Sequence, residues 1–271
     1  MERIQKALEL ARASRQARQE NVQSRQEGRS DTSPSQDSAR VVYTQTQRHE
    51  PVISELRDKR LVIGEEASPQ ADAYKMLRTQ VLQRLRAKGW NSLAIVSPGG
   101  GAGKSLTAAN LAISLVREVR HTVLLVDVNL RQPALHELFG YPASAGLSEY
   151  LTQDIALSPL LFNPGIERLV VLPGGAPVTN SSELLSSPRM TRLVTELKTS
   201  YPERIVVFDL PAALTGDDVL AFSPHVDACL FVVEEGRTNR DDLERTMDLL
   251  HAMPNVGVVL NKSMSSRGKP A

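Results

Sequence analysis

Four glycines, a lysine and a serine fall within the stretch PGGGAGKS, Pro98 to Ser105. A short apolar run precedes it, and an alanine-rich, helix-forming segment, KSLTAANLAISLV, follows. The spacing comes within one residue of the phosphate-loop pattern G-x-x-x-x-G-K-[ST]. Pro98 stands at the first glycine position, while Gly103, Lys104 and Ser105 are in register. Glycines let main-chain N–H groups converge on phosphate oxygens with no Cβ in the way. Lys104 is spaced to reach the β- and γ-phosphates and the Ser105 hydroxyl to bind Mg²⁺. The following helix adds its N-terminal dipole. A glycine-rich turn that merely joins strand to helix is the plainer alternative, and the flanking elements argue against it. Gly99, Gly100, Gly101, Ala102, Gly103, Lys104, Ser105 and Leu106 are therefore expected to contact a nucleoside triphosphate with Mg²⁺.

Phosphoryl transfer also requires carboxylates to manage the metal and a nucleophile. RIVVFD ends one apolar run with Asp209, and TVLLVD ends another with Asp127, followed by Asn129 and Arg131. In an open parallel sheet the strand C-termini gather along one edge, so both acids should face the phosphate loop. Either one alone could be a helix N-cap or a solvated loop residue. Together they favour a catalytic role for Lys104, Asp127 and Asp209, with Ser105, Asp127 and Asp209 as metal ligands. Arg131 joins the expected nucleotide contacts. Asn261 joins them too, at the end of VVLNK, where Lys262 follows and a base-recognition loop could lie.

These residues need a scaffold, and the chain supplies one from about Ser68 onward. NSLAIVS, HTVLLVDV, ERLVVLPG, ERIVVFDL, DACLFVVEE and VGVVLNK are short apolar, β-branched runs separated mostly by helical segments. Such runs suit strands buried on both faces. The predicted fold is α/β, a doubly wound, mostly parallel sheet of the P-loop class. DAYKMLRTQVLQRLRAKG reads as an amphipathic helix with Tyr74, Leu77, Val81, Leu82 and Leu85 on one side. Residues 1–20 read as an amphipathic helix, 21–67 as a polar and largely disordered linker, and 68–271 as the nucleotide-binding domain. The stretch Asn21 to Arg40 has almost no large apolar residue to order it. The N-terminal helix is either a solvated element or a docking helix for a partner or an anionic membrane surface.

Composition sets limits. The chain is 41% hydrophobic and 23% charged with a net charge of +1, which lacks the basic surplus of a nucleic-acid binder. Its one cysteine, Cys229, lies in the apolar run ACLFVV and reads as a small buried hydrophobe. No apolar run approaches the roughly 20 residues that cross a bilayer, and the N-terminus lacks a signal-peptide core. A cytoplasmic protein is expected, meeting a membrane only through a partner.

From about Asp72 to Lys262 the chain resembles the catalytic domain of bacterial tyrosine kinases of the CpsD/CapB type, themselves similar to MinD/ParA ATPases. SPGGGAGKSLTAANLA resembles the family's Walker A motif, VLLVDVNLRQPALH its Walker A′ and VVFDLPA its Walker B. DAYKMLRT is similar to the helix through which family members assemble, with Asp72, Lys75 and Arg78 at its charged positions. The resemblance implies an ATP- and Mg²⁺-dependent tyrosine kinase of exopolysaccharide or capsule biosynthesis, peripheral to the inner membrane. It also implies a homo-oligomer activated by a separate inner-membrane co-polymerase or chain-length protein. In this reading Lys104 neutralises the transferred phosphate and Asp127 orients or deprotonates the acceptor hydroxyl.

Some positions depart from the family pattern. Gly99 replaces the signature lysine of ParA-type partition ATPases. Asn129 stands where a second acid is usual, Ala102 replaces a common acidic residue, and Ala212 replaces a second proline. The family's phosphoacceptors cluster near the C-terminus, whereas the last tyrosine here is Tyr201. Self-phosphorylation is therefore expected to be weak and, where present, to fall at Tyr43. The plainer reading of Tyr43 is a packed residue of a short edge strand. The alternatives to a kinase are an ATPase switch controlling assembly of the polysaccharide machinery, or a MinD-like positioning ATPase.

A first test follows from the loop alone. Lys104→Ala removes a charge-assisted contact on the order of 1.5–3 kcal/mol, so ATP affinity measured by calorimetry should fall at least roughly tenfold. Unchanged affinity would remove the phosphate-loop assignment.

Overall fold

The computed structural model describes residues 46–64, 68–118, 121–142, 145–201 and 203–263. The helix expected over 1–20, the linker as far as residue 45, and Tyr43 lie outside the described residues. The strands are β1 (Gln47–Arg48), β2 (Ser92–Ser97), β3 (Thr122–Asp127), β4 (Phe162–Asn163), β5 (Leu169–Leu172), β6 (Arg204–Ala212), β7 (Ala228–Glu234) and β8 (Asn255–Asn261). The helices are α1 (Ile53–Asp58), α2 (Pro69–Lys88), α3 (Lys104–Val116), α4 (Leu135–Leu138), α5 (Leu147–Thr152), α6 (Ser181–Leu185), α7 (Pro188–Thr199), α8 (Asp218–Phe222) and α9 (Arg240–Leu249).

The strands form one sheet in the order β1-β4-β5-β3-β6-β2-β7-β8. All neighbours run parallel except β4 and β5, so an antiparallel edge closes a parallel centre. This is the expected doubly wound architecture, and each of the six apolar runs supplies a strand.

Continuous hydrophobicity divides by the strand period of two into two cores. Leu93 and Ile95 of β2, Val123 and Leu125 of β3, and Ile205 and Val207 of β6 point to the face covered by α2 and α3. Their alternates Ala94, Val96, Leu124, Val126, Val206 and Phe208 point to the face covered by α7 and α8. Cys229 lies in this second core, and burial pushes its thiol up to about 12. Helix α2 starts where Ser68 Oγ accepts from Ala71 N at 3.1 Å and Pro69 fits the first turn. It ends at Gly89, whose φ of 67° a side-chain-bearing residue would adopt with strain. Val81, Leu82 and Leu85 are buried, with Tyr74 and Leu77 packed beside them.

Two expectations need correction. The linker drawn as far as residue 67 ends earlier: residues 46–64 belong to the folded unit. β1 pairs with β4, and Leu56, Leu61 and Val62 are buried against α3 and its neighbours. Three apolar residues with no periodicity suffice because the surrounding chain supplies hydrogen-bond partners for the main chain. β8 is also not buried on both faces. It is the last strand of the sheet, and Val258 and Leu260 are 49% and 55% exposed.

The central strand β2 is pinned at its start by Asp227, just before β7. One oxygen of Asp227 accepts from Asn91 N and Ser92 N, each at 3.1 Å, and from Ser92 Oγ at 2.8 Å. The other lies 2.5 Å from Lys198 Nζ at the end of α7. Burial works against the charge, but Lys198 and these donors outweigh it and hold the carboxyl below its usual pKa. The stabilisation is therefore complete above the ordinary carboxylate value of about 4 and disappears as pH falls further. Asp227→Ala should cost about 2–3 kcal/mol in urea unfolding at pH 7. The gap to the parent should narrow below about pH 4; a pH-independent gap would refute the ionic contribution.

Candidate functional site

The phosphate loop leaves β2 at Ser97, whose hydroxyl donates to the Gly99 carbonyl at 2.7 Å. It turns through Gly101 and Gly103, at φ 80° and 90°, and becomes α3 at Lys104. The end of β8 holds the loop from outside. Asn261 Nδ2 donates to the Ala102 carbonyl at 2.8 Å, and Lys262 Nζ to the Gly101 carbonyl at 2.7 Å. Lys262 is itself 3.0 Å from Glu234 at the end of β7. A Cβ on Gly103 would run into the Asn261 side chain, so glycine is required there for contact as well as conformation.

Parallel register brings the two acids together. Asp127 and Asp209 are direct partners on β3 and β6, and β6 lies beside the loop-bearing β2. Both are buried, at 0% and 1% exposure, and Lys104 is 8% exposed. Their oxygens differ. Asp127 Oδ1 accepts from Asn129 N at 3.1 Å, while Oδ2 accepts from Ala134 N at 2.8 Å and Leu135 N at 2.9 Å. It therefore winds residues 129–135 around itself. Both oxygens of Asp209 are buried without a partner in hydrogen-bond geometry, although the Ser105 hydroxyl approaches.

Burial raises both carboxyls well above the usual range. For Asp127 the charge of Asp209 adds to the rise and the three N–H donors oppose it. For Asp209 the opposing influences are Lys104 and Ser105.

The structure thus gathers Lys104, Ser105, Asp127 and Asp209 at one sheet edge, with Gly99 to Leu106 around them. Two expected nucleotide contacts are otherwise engaged. Arg131 Nε donates to Asp218 Oδ2 at 2.9 Å, and Asp218 also bonds Ser181 Oγ, so this arginine ties the Asp127 loop to α8. The Asn261 amide nitrogen is committed to the loop.

Sequence reasoning missed Lys59, because its segment carries no motif or period. Lys59 lines a cavity of about 430 Å³ between the phosphate loop and α4. Glu234, which anchors Lys262, was missed as well; it sits one residue inside the end of an apolar run and reads as a solvated terminus.

The chain matches the family model of the CobQ/CobB/MinD/ParA nucleotide binding domain over residues 93–270. It is 31% identical over 240 residues to the succinoglycan biosynthesis transport protein ExoP of Rhizobium meliloti. That match covers 84% of this chain, which spans only 30% of ExoP's length. It is 26% identical over 194 residues to the putative tyrosine-protein kinase CapB of Staphylococcus aureus, covering 71% of this chain and 84% of CapB. Among solved structures, the chimerical protein CapA2B2 superposes with a TM-score of 0.70 at 29% identity, covering 80% of this chain and 93% of that one. The kinase domain of the Escherichia coli tyrosine kinase ETK superposes with a TM-score of 0.69 at 26% identity, covering 77% and 83%.

The unpartnered acid makes a stability prediction for the protein free of nucleotide and metal. Burial keeps the Asp127–Asp209 pair protonated to higher pH in the folded state than in the unfolded chain, whose carboxyls ionise near 4. Stability must therefore fall as pH rises above that value. Asp209→Asn removes a penalty on the order of 1–3 kcal/mol. It should raise the thermal midpoint by several degrees at pH 8 in EDTA, and by much less at pH 4. A variant no more stable than the parent at pH 8 would contradict the burial penalty.

Proposed function

Because this chain belongs to the CobQ/CobB/MinD/ParA nucleotide-binding domain family, and is similar over most of its length to bacterial tyrosine kinases, we propose that it is an ATP- and Mg²⁺-dependent protein-tyrosine kinase of exopolysaccharide or capsule biosynthesis. The observation that carries this reading is Asp209, buried beside Lys104 and Ser105 with two oxygens that, among the described residues, have no partner in hydrogen-bond geometry beyond the approach of the Ser105 hydroxyl.

An Mg²⁺ ion fits this donor set, since it prefers hard oxygens and binds through one or two carboxylates plus substrate phosphates. Ser105 and Asp209 would hold it, and when bound it neutralises charge on the β- and γ-phosphates. Lys104 brings a second positive charge to those phosphates, and the loop N–H groups orient them. Asp127 folds residues 129–135 over the site and keeps the acceptor hydroxyl's approach fixed. Arg131 braces that loop against α8. Asn261 braces the phosphate loop, rather than reading the base with its amide nitrogen.

The protein acts with a separate inner-membrane co-polymerase or chain-length protein, and its own copies assemble through α2. Asp72 and Lys75 pair at 2.9 Å on an exposed stretch of that helix. Arg78 instead donates to the Ser114 carbonyl at the end of α3, which makes it a brace within the subunit. Among the described residues no helix is long and apolar enough to cross a membrane.

A second reading, an ATP-operated switch without transfer to tyrosine, draws support from Asp127. Both of its oxygens already accept main-chain N–H groups, which limits its capacity as a base. Incubation with γ-labelled ATP, with and without the candidate membrane partner, separates the two. Label on tyrosine, increased by the partner, is expected. Free phosphate without phosphotyrosine in either condition would replace the kinase by the switch.

A further inference from the structure

The folded segment 46–64 passes close to the phosphate loop, and its backbone is held there under strain. After α1 the chain turns at Arg60, whose φ of 64° lies in the left-handed region that side-chain-bearing residues seldom adopt. One residue of α3 grips this turn from both sides. Asn110 donates through Nδ2 to the Arg60 carbonyl at 3.0 Å and accepts at Oδ1 from Val62 N at 2.9 Å. Arg117 donates to the Val62 carbonyl at 3.2 Å, and Leu56 and Leu61 are buried on either side. Strain over-determined by its surroundings gives reason to ask what it positions.

It positions Lys59. This residue is exposed, yet its Nζ is directed to the Glu137 carbonyl at the end of α4, 2.5 Å away. It completes the 430 Å³ cavity beside Lys104 and Ser105. The walls of that cavity are mixed. Leu106, Ala134 and Leu138 are apolar, Lys59 and Lys104 are cationic, and Ser105 and the acidic Glu137 complete it with two glycines of the loop. Gly101, Gly103, Lys104, Ser105 and Leu106 belong to the loop assigned to the nucleotide, whose terminal phosphate this cavity adjoins. Lys59 remains as a positive charge facing a space of the size that holds a small ligand, with apolar side chains able to enclose a ring.

We propose that this cavity is the acceptor pocket and that Lys59 is its specificity residue, leaving the Glu137 carbonyl to bind the phosphate carried by the tyrosine oxygen. The inference rests on the kinase reading. In the transfer, the bond from the γ-phosphorus to the bridging oxygen breaks and ADP keeps the electron pair. The phenolic oxygen forms the new bond to phosphorus and its proton leaves to solvent. Lys59 then offsets the charge that has arrived on the acceptor.

The test uses the full chain loaded with Mg-ADP and two probes, N-acetyl-phosphotyrosine amide and N-acetyl-tyrosine amide. The parent should prefer the phosphorylated probe. Lys59→Met, which keeps the length of the side chain, should weaken phosphotyrosine binding about tenfold. It should leave the affinities for tyrosine amide and Mg-ADP within about twofold, and Lys59→Arg should retain the preference. A Lys59 that only caps α4 would lower both probes alike and leave the preference intact, which overturns the inference. Loss of Mg-ADP affinity in the Met variant overturns it too, by making Lys59 a nucleotide ligand. Failure of the kinase reading shows separately, as absence of label transfer to tyrosine by the parent, and the pocket assignment falls with it. If the parent transfers label while the preference ignores Lys59, only Lys59 loses its role.

Discussion

Two carboxylates buried side by side are the constraint around which this molecule is arranged. Parallel neighbouring strands lie about 4.8 Å apart, and the register sets Asp127 opposite Asp209 with almost no solvent at either. Charge buried in this way is costly unless paired, and each acid finds a different remedy. Asp127 gathers three N–H donors by bending the chain after β3 into a tight loop that opens α4. Asp209 has the Lys104 charge and the approach of Ser105, and its oxygens keep unused capacity. One cation against two acids leaves a local excess of negative charge. That excess suits the site to accept a further cation together with the anionic phosphates.

The phosphate loop meets the opposite demand, since it must present donors rather than acceptors. A peptide unit is planar, with its C=O and N–H pointing in opposite directions. Asn261 and Lys262 take hold of the Ala102 and Gly101 carbonyls. The N–H groups of the same peptide units, on Gly103 and Ala102, are thereby turned away from β8. Two consecutive side chains at the end of the last strand thus fix the orientation of two consecutive peptides. Glu234 secures Lys262 in turn. The outermost strand serves the site through its end, while its exposed face carries no part of the core around the acids.

What could be read in the sequence follows from the range of the interactions involved. Five of the six strands were legible because burial on both faces imposes long apolar runs, and β8 because its β-branched residues form such a run although one face is exposed. Lys104, Ser105, Asp127 and Asp209 were legible because parallel topology sends every strand end to one edge. Arg131 was placed on the right loop, but its partner Asp218 is 87 residues away, and nothing local distinguishes an arginine that binds phosphate from one that braces a helix. Asn261 met the same limit: its neighbour Ala102 is 159 residues distant. The segment 46–64 was hidden for a different reason. Its order comes from Asn110 and a few buried leucines, not from a repeating pattern of its own, and composition averaged with the polar residues before it concealed them.

Asn129 illustrates how a departure from a motif can be absorbed by the loop that contains it. Its main-chain N–H serves Asp127, while its side-chain Nδ2 donates to the Gln132 carbonyl at 2.9 Å. A carboxylate at this position has no N–H to give and would face that carbonyl with like charge. The amide therefore closes the turn that an acid would open, and it removes one negative charge from the neighbourhood of the buried pair. With Asn129 neutral and Asp127 committed to the main chain, Asp209 alone retains open carboxylate oxygens in the pair. Any cation that enters must find its remaining ligands among the Ser105 hydroxyl, the phosphates and water. A site so composed would hold a metal chiefly with nucleotide present, which would tie the charge balance of the two acids to the occupancy of the phosphate loop.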